Sequence, residues 1–141
     1  METQYTNILI AVDGSKAAEK ALEKAIQIAK RNNASLVLAH VVDTKTFSTI
    51  EPYDSAIYER SQAYAQDMLD TYQKNTDFKN IKTIIKLGSP KAVITKELIP
   101  EEKIDLVVVG ATGLGAVERI VMGSVSGSIV RHATCDVLVV R

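Results

Sequence analysis

The sequence has little cysteine, proline or aromatic content and no excess of charge of either sign. Its one cysteine, Cys135, cannot form a disulfide within the chain, so a reducing compartment, the cytoplasm, is expected. Its 17 basic and 17 acidic residues balance, which argues against a general nucleic-acid binder because such proteins carry a basic surface. No apolar run approaches the ~20 residues of a membrane span, and the polar N-terminus lacks signal-peptide features, so no membrane association is expected.

Apolar residues nevertheless make up 46% of the 141 residues, enough to form the core of a single domain over residues 1–141. The apolar run over residues 7–12 is typical of a strand buried on both faces of a sheet, and residues 35–42 are predicted to form a second buried strand. Three further strands are predicted at residues 81–87, 106–109 and 136–140. The sequence therefore predicts five strands.

Apolar residues at helical spacing predict a helix after each of the first four strands. Ser15 is the expected N-cap of the first helix, and Ser89 and Pro90 are the expected start of the third, which Pro100 closes. The other helices are predicted at residues 57–72 and 124–132, and residues 43–54 are expected to form a loop. Alternating strands and helices predict an α/β fold with a parallel sheet and helices on both faces. Ligands of such sheets bind beyond the carboxyl ends of the strands.

Four glycines lie between the fourth strand and the last helix, at positions 110, 113, 115 and 123. Because glycine lacks a Cβ, its backbone allows a bulky anion to come close. Gly123 and Ser124 open a helix, whose free N–H groups and dipole favour a phosphate, and Ser124 and Ser126 add hydroxyl donors. The segment is neither a P-loop, since it has no lysine, nor a dinucleotide fingerprint, since Glu118 stands in place of the third glycine.

The spacing Gly-x2-Gly-x9-Gly-Ser resembles the nucleotide-binding branch of the universal stress protein family. The resemblance extends to ILIAVDGS at residues 8–15, HVV at 40–42, GSP at 88–90 and the segments 107–113 and 123–140. It implies a doubly wound, Rossmann-like open sheet of strand order 3-2-1-4-5. It also implies a homodimer formed through residues 136–140, and a site for ATP, ADP or AMP with Mg²⁺ carried on the phosphates.

The same resemblance assigns residues to the nucleotide. Asp13 would accept hydrogen bonds from the ribose, and Val41 would meet the adenine through its backbone. The other assigned residues would line the ribose and phosphates or bind the phosphates through their amides: Gly110, Gly113, Gly123, Ser124 and Val125. The predicted site is completed by further candidates for nucleotide contact, namely Ala11, Val12, Thr112, Gly115, Arg119 and Ser126. No residue is predicted to be catalytic or to bind a metal directly.

Structural alternatives apply to many of these positions. Asp13 also fits a turn before a helix, the glycines also fit a tight loop, and Arg119 also fits a solvated position. The remaining notable residues are interpreted as structural: Gly127 lets its helix pack closely on the sheet, and His40 and Cys135 are buried. His132 suits the end of a helix, and the tyrosines at 58, 64 and 72 are interpreted as packing residues.

A binding module is favoured over an efficient enzyme, because the chain lacks a P-loop lysine and no general base is identified near the phosphates. The leading hypothesis is a nucleotide-responsive regulatory protein of the stress response. The alternatives are a slow ATPase and a dimeric interaction scaffold whose site binds no nucleotide.

Overall fold

The computed structural model describes residues 4–47, 55–111 and 123–141. Its strands are β1 (Asn7–Ala11), β2 (Ser35–Asp43), β3 (Ile81–Gly88), β4 (Leu106–Gly110) and β5 (Asp136–Val140). Its helices are α1 (Lys16–Asn32), α2 (Ser55–Lys74), α3 (residues 90–101) and α4 (Ser124–His132). Of the predicted loop over residues 43–54, Thr44–Phe47 form a 3-10 turn and residues 48–54 lie outside the described ranges.

The strands form one parallel sheet of order β3-β2-β1-β4-β5, which confirms the predicted α/β fold and strand order. The central strand β1 pairs with β2 on one side and β4 on the other, so that Ile10 lies between Leu38 and Val108. The chain winds from β1 towards β3 and then returns to place β4 and β5 on the opposite side. The direction of winding therefore reverses between β1 and β4, which is where ligands of open α/β sheets bind.

Each face of the sheet has its own apolar cluster. On one face, Ile8 and Leu36 pack with α1 and with Leu69 of α2. On the other face, Leu9 and Val107 pack with α3 and with Ile129 of α4. These strands read as continuous apolar runs because both of their faces are covered. No helix among the described residues combines the length and apolar character needed to cross a membrane.

The predicted N-cap of α1 is confirmed. The Ser15 Oγ accepts a hydrogen bond from the backbone N–H of Ala18 at 3.1 Å, and this bond is buried. The helix ends at Asn33, which adopts the left-handed conformation with φ 54°. These two residues fix where α1 begins and ends, and Ser15 places the start of the helix directly after the carboxyl end of β1.

We expect Ser15→Ala to lower the free energy of unfolding by about 1 kcal/mol, because it leaves the Ala18 N–H without its acceptor. Ser89→Ala is the matched control. Ser89 occupies the N-cap position of α3, but its side chain makes no capping hydrogen bond. Urea denaturation of both variants tests the prediction, and equal stability of the two would contradict it.

The third helix differs from the prediction at its end. It begins as Pro90–Ala92, widens into a π-helix over Val93–Leu98 and continues as Ile99–Glu101. Pro100, predicted to close the helix, lies inside its last turn. A proline ring clashes with the carbonyl four residues earlier in a regular α-helix. Here the wider π turn precedes the proline, with the N–H of Ile99 bonded to the C=O of Ile94, five residues back.

The structure also corrects two predictions about packing. Among the described residues, a Cβ built on Gly127 would meet only the Arg131 guanidinium, at 3.4 Å, so close packing on the sheet does not explain this glycine. Cys135 is half-buried rather than buried. Burial, followed by the charges of Asp136 and Asp105, raises the pKa of its thiol above the usual range. His132 lies at the end of α4 as predicted, with its Nδ1 3.0 Å from the C=O of Ser128.

Candidate functional site

A cavity of about 790 Å³ opens at the carboxyl ends of β1, β2 and β4. Its walls are completed by residues from the N-terminal halves of α2, α3 and α4. This volume lies within the roughly 300–1,000 Å³ of pockets that hold small molecules. The cavity therefore lies at the point where the winding reverses, and it is large enough for a ligand.

The sequence-predicted site residues meet in this cavity. Nine of them line it, namely Ala11, Val12, Asp13, Val41, Gly110, Gly123, Ser124, Val125 and Ser126. The other four, Thr112, Gly113, Gly115 and Arg119, lie outside the described residues. Residues more than a hundred positions apart in the chain are thus brought together by the order of the strands.

The first turn of α4 presents backbone donors to the cavity. Its hydrogen-bond ladder starts with the N–H of Gly127, which bonds the C=O of Gly123 at 2.9 Å. The preceding N–H groups, of Ser124, Val125 and Ser126, have no acceptor among the described residues. Free first-turn amides at the positive end of a helix dipole favour an anion.

Two other predicted donors are engaged within the protein. The N–H of Gly123 donates to the C=O of Ala111 at 2.9 Å. The Ser126 hydroxyl, in a buried residue, donates to the C=O of Gly110 at 2.6 Å. Both bonds hold the start of α4 against the end of β4. Among the described residues, they leave the amides of residues 124–126 and the Ser124 hydroxyl as donors to this part of the cavity.

Gly110 has a structural role in addition to lining the cavity. A Cβ at this position would lie 2.9 Å from the carbonyl oxygen of Ala17, in the first turn of α1. Real Cβ atoms do not approach backbone atoms so closely. The glycine therefore lets α1 start directly beside the end of β4.

Asp13 stabilises the turn before α1 and also lines the cavity. Its Oδ1 accepts the N–H of Ser15 at 3.0 Å, as expected of a turn that precedes a helix. The side chain is exposed and lines the cavity, and Oδ2 has no hydrogen bond to the part of the chain that is described. One carboxylate oxygen is therefore available to a ligand while the other fixes the orientation of the side chain.

Val41 presents a backbone edge to the same cavity. In β2 the N–H of Ser35 bonds the C=O of Thr6, so alternate residues from Ser35 onwards direct their backbone groups towards β1. The last bond on that side joins the N–H of Val12 to the C=O of Ala39 at 2.9 Å. Val41 follows the same alternation two residues later, beyond the end of β1. Among the described residues, the N–H and C=O of Val41 are therefore left without partners.

His40 is half-buried rather than buried, but one of its ring nitrogens is satisfied as predicted. Its Nδ1 lies 2.7 Å from the C=O of Val12. Since a carbonyl oxygen can only accept, Nδ1 carries the proton. The bond ties β2 to the chain just beyond β1 and fixes one wall of the cavity.

Sequence analysis missed the contribution of α2. Four of its residues line the cavity, Ile57, Arg60, Ser61 and Tyr64, at the spacing i, i+3, i+4 and i+7 that marks one face of a helix. The interpretation of Tyr64 as a packing residue is wrong, because this residue is 65% exposed. The mixed polarity of this face was the available signal, because a face that packs only on the sheet would be apolar.

A second, smaller cavity of about 250 Å³ lies between α1 and α2. Tyr64 lines it as well, together with Gly14, Glu19, Asp67 and Tyr72. Burial, followed by the negative charges of Glu19 and Asp13, raises the pKa of the Tyr72 hydroxyl above its usual range. No group of three or more His, Cys, Asp or Glu residues within the described ranges is placed to hold a metal ion.

Comparison with known proteins agrees with this architecture. The universal stress protein family matches residues 4–141. A protein of Staphylococcus haemolyticus named as a universal stress protein is 49% identical over 97% of this chain and 85% of its own length. The solved structure of universal stress protein UspA from Lactobacillus plantarum is 36% identical, with a TM-score of 0.87 over 99% of this chain and 100% of that one. A universal stress protein solved in complex with cAMP is 29% identical, with a TM-score of 0.66 over 99% and 98% of the two chains.

Proposed function

This chain belongs to the universal stress protein family, and we propose that it binds an adenine nucleotide, with ATP as the leading candidate, in the cavity at the carboxyl edge of its sheet. The observation that carries the proposal is that two sets of backbone groups, each without a partner among the described residues, line one cavity. The first set is the amides at the start of α4, and the second is the edge of Val41. Binding of cAMP by a structural relative supports a nucleotide ligand.

The start of α4 is the proposed phosphate subsite. The N–H groups of Ser124, Val125 and Ser126 donate to phosphate oxygens, and the Ser124 hydroxyl adds a further donor. The carboxylates of Asp13 and Asp43 also line the cavity and would repel an uncompensated polyphosphate. Mg²⁺ carried on the phosphates supplies compensating positive charge.

The edge of Val41 is the proposed adenine subsite. Adenine presents an acceptor, N1, beside a donor, its 6-amino group, and these match the N–H and C=O of one residue in an extended strand. Guanine presents a donor at N1 beside an acceptor at O6, which is the opposite order. Asp13, at the end of the neighbouring strand β1, accepts hydrogen bonds from the ribose hydroxyls through its available oxygen.

In this proposal the protein is a nucleotide-responsive regulatory module of the stress response, located in the cytoplasm. The predicted homodimer forms at β5, which is an edge strand of the sheet and has no charged residue between Asp136 and Arg141. An apolar edge strand of this kind is a natural site for pairing with a second copy.

Isothermal titration with Mg-ATP, AMP, cAMP and Mg-GTP tests the proposal. We expect an adenine nucleotide to bind with a Kd of about 10 µM, equivalent to about 7 kcal/mol, and Mg-GTP to bind at least about tenfold more weakly. A Kd no better than about 1 mM for every adenine nucleotide would reject the proposal. Chromatography of the titrated ATP shows whether it is hydrolysed, which separates the binding module from the slow ATPase.

A further inference from the structure

One face of α2 is oriented towards the ligand cavity rather than towards the core. Of the described α2 side chains, only Ala65 and Leu69 are buried. Arg60 and Tyr64 lie one helical turn apart on another face, both exposed and both lining the cavity. Among the described residues, neither side chain has an ion pair, and the Arg60 guanidinium has no hydrogen bond.

Arg60 is also the one side chain with a permanent positive charge among the described residues that line the cavity. Lysine, by comparison, is absent from that lining. An unpaired guanidinium at the wall of a ligand site can stack on an aromatic ring or donate to ring nitrogens and oxygens. The question is which part of the ligand it faces.

The position of α2 in the fold answers this question. Helix α2 packs against β2 and β3, and its Leu69 belongs to the apolar cluster on the α1 face of the sheet. Helix α4 covers the opposite face, where Ile129 packs with Leu9. The phosphate donors at the start of α4 and the Arg60 guanidinium therefore approach the cavity from opposite faces. On its own side, α2 adjoins β2, which carries Val41.

Tyr64 is placed near the ribose position. A Cβ built on Gly14 would lie 3.5 Å from the Tyr64 hydroxyl, so this hydroxyl sits beside the Asp13–Ser15 turn. Asp13, in that turn, is the proposed ribose acceptor. An aromatic side chain that is 65% exposed leaves apolar surface uncovered, and a nucleoside bound against it would remove that surface from water.

We propose that Arg60 and Tyr64 contact the nucleoside part of the bound nucleotide, Arg60 at the purine and Tyr64 at the ribose, and so contribute affinity for the nucleoside rather than for the phosphates. This inference rests on the proposed function. It adds two side chains of α2 to a proposed site made of backbone groups, the Asp13 carboxylate and the Ser124 hydroxyl.

The experiment compares the affinities of adenosine, AMP and Mg-ATP for the full chain and its variants. We expect Arg60→Gln to weaken the binding of all three ligands by the same factor, about fivefold, because Arg60 contacts the purine that all three share. Tyr64→Ala should weaken all three by about tenfold. Matched controls on the same helix are Lys74→Gln and Tyr58→Ala, since neither residue lines the cavity. These two variants should retain the wild-type affinities.

The outcomes separate the two proposals. If the unmodified chain binds none of the three ligands, the proposed function fails and the assignment of Arg60 and Tyr64 fails with it. If the unmodified chain binds them but both α2 variants keep wild-type affinity, only the α2 assignment is overturned. If the loss of affinity in Arg60→Gln increases from adenosine to AMP to Mg-ATP, Arg60 contacts the phosphates, and this result would also overturn the assignment. Thermal melting of each variant distinguishes a lost contact from a lost fold.

Discussion

Gly110→Ala is expected to lower the free energy of unfolding by about 2 kcal/mol, although it adds a single methyl group. The new Cβ would lie 2.9 Å from the carbonyl oxygen of Ala17 and 3.0 Å from its carbonyl carbon and its Cβ. These atoms belong to the first turn of α1, so the helix or the end of β4 must shift to make room. The φ of Gly110 lies outside the positive range that favours glycine, so the expected loss comes from packing and not from backbone strain.

Gly127→Ala is the control, because it makes the same chemical change in a different environment. Its Cβ would meet only the end of the flexible Arg131 side chain among the described residues, at 3.4 Å. Alanine also favours a helix over glycine by about 0.8–1 kcal/mol. We therefore expect Gly127→Ala to be neutral or to stabilise the protein by up to about 1 kcal/mol.

Urea denaturation of both variants measures these free energies, and thermal melting should place Gly110→Ala about 4–8 °C below the unmodified chain. Equal effects of the two substitutions would show that the approach of α1 to β4 is not what requires glycine at position 110. Because Gly110 also lines the cavity, the affinity for Mg-ATP should be measured beside stability. A loss of binding without a loss of stability would assign this glycine to the ligand alone.

The fold could be predicted from the sequence because its central strands are buried on both faces. Residues 7–12, 35–42 and 106–109 are predominantly apolar, and each corresponds to a strand of the sheet within one or two residues. The start of α1 could be predicted because Ser15 acts locally, on the N–H three residues ahead. The end of α3 could not be predicted, because no local sequence pattern indicates the π-helix that accommodates Pro100.

The positions of candidate site residues could be predicted where these residues lie at the ends of strands or at the starts of helices. Asp13 lies just after β1, and Gly123 lies just before α4. A parallel sheet brings such positions together at the carboxyl ends of its strands. The hydrogen-bond partner of each individual side-chain group could not be predicted. Whether the Ser126 hydroxyl faces a ligand or the C=O of Gly110 depends on how α4 sits against β4, which no spacing in the sequence specifies.

The wall formed by α2 was missed for a related reason. Tyr64 and the apolar residues of α2 recur at helical spacing, and this spacing favours the interpretation of Tyr64 as a packing residue. In the structure Ala65 and Leu69 make the core contact, whereas Tyr64 lies on the neighbouring face and remains 65% exposed. The two faces differ by about 100° of rotation around the helix, and only the position of α2 on β2 and β3 distinguishes them.

Ser124→Pro is expected to weaken Mg-ATP binding by at least about tenfold more than Ser124→Ala does, while leaving the fold intact. Ser124 is the first residue of α4, a position that favours proline because its N–H has no partner within the helix. Gly123, before it, has φ −59° and ψ 157°, the extended conformation that a residue preceding proline adopts. The substitution thus removes the proposed phosphate donor without disturbing the backbone around it.

The two variants divide the contribution of residue 124 between its groups. Alanine removes the hydroxyl alone, whereas proline removes the hydroxyl and the amide, so the ratio of their affinities isolates the amide. A hydrogen bond to a charged group contributes about 1.5–3 kcal/mol, which corresponds to about 10–150-fold in Kd. Adenosine, which has no phosphate, should bind both variants as it binds the unmodified chain. Equal Mg-ATP affinities for Ser124→Pro and Ser124→Ala, with unchanged melting temperatures, would mean that the amide of residue 124 does not contact phosphate, and the anion would then have to be held elsewhere in the cavity.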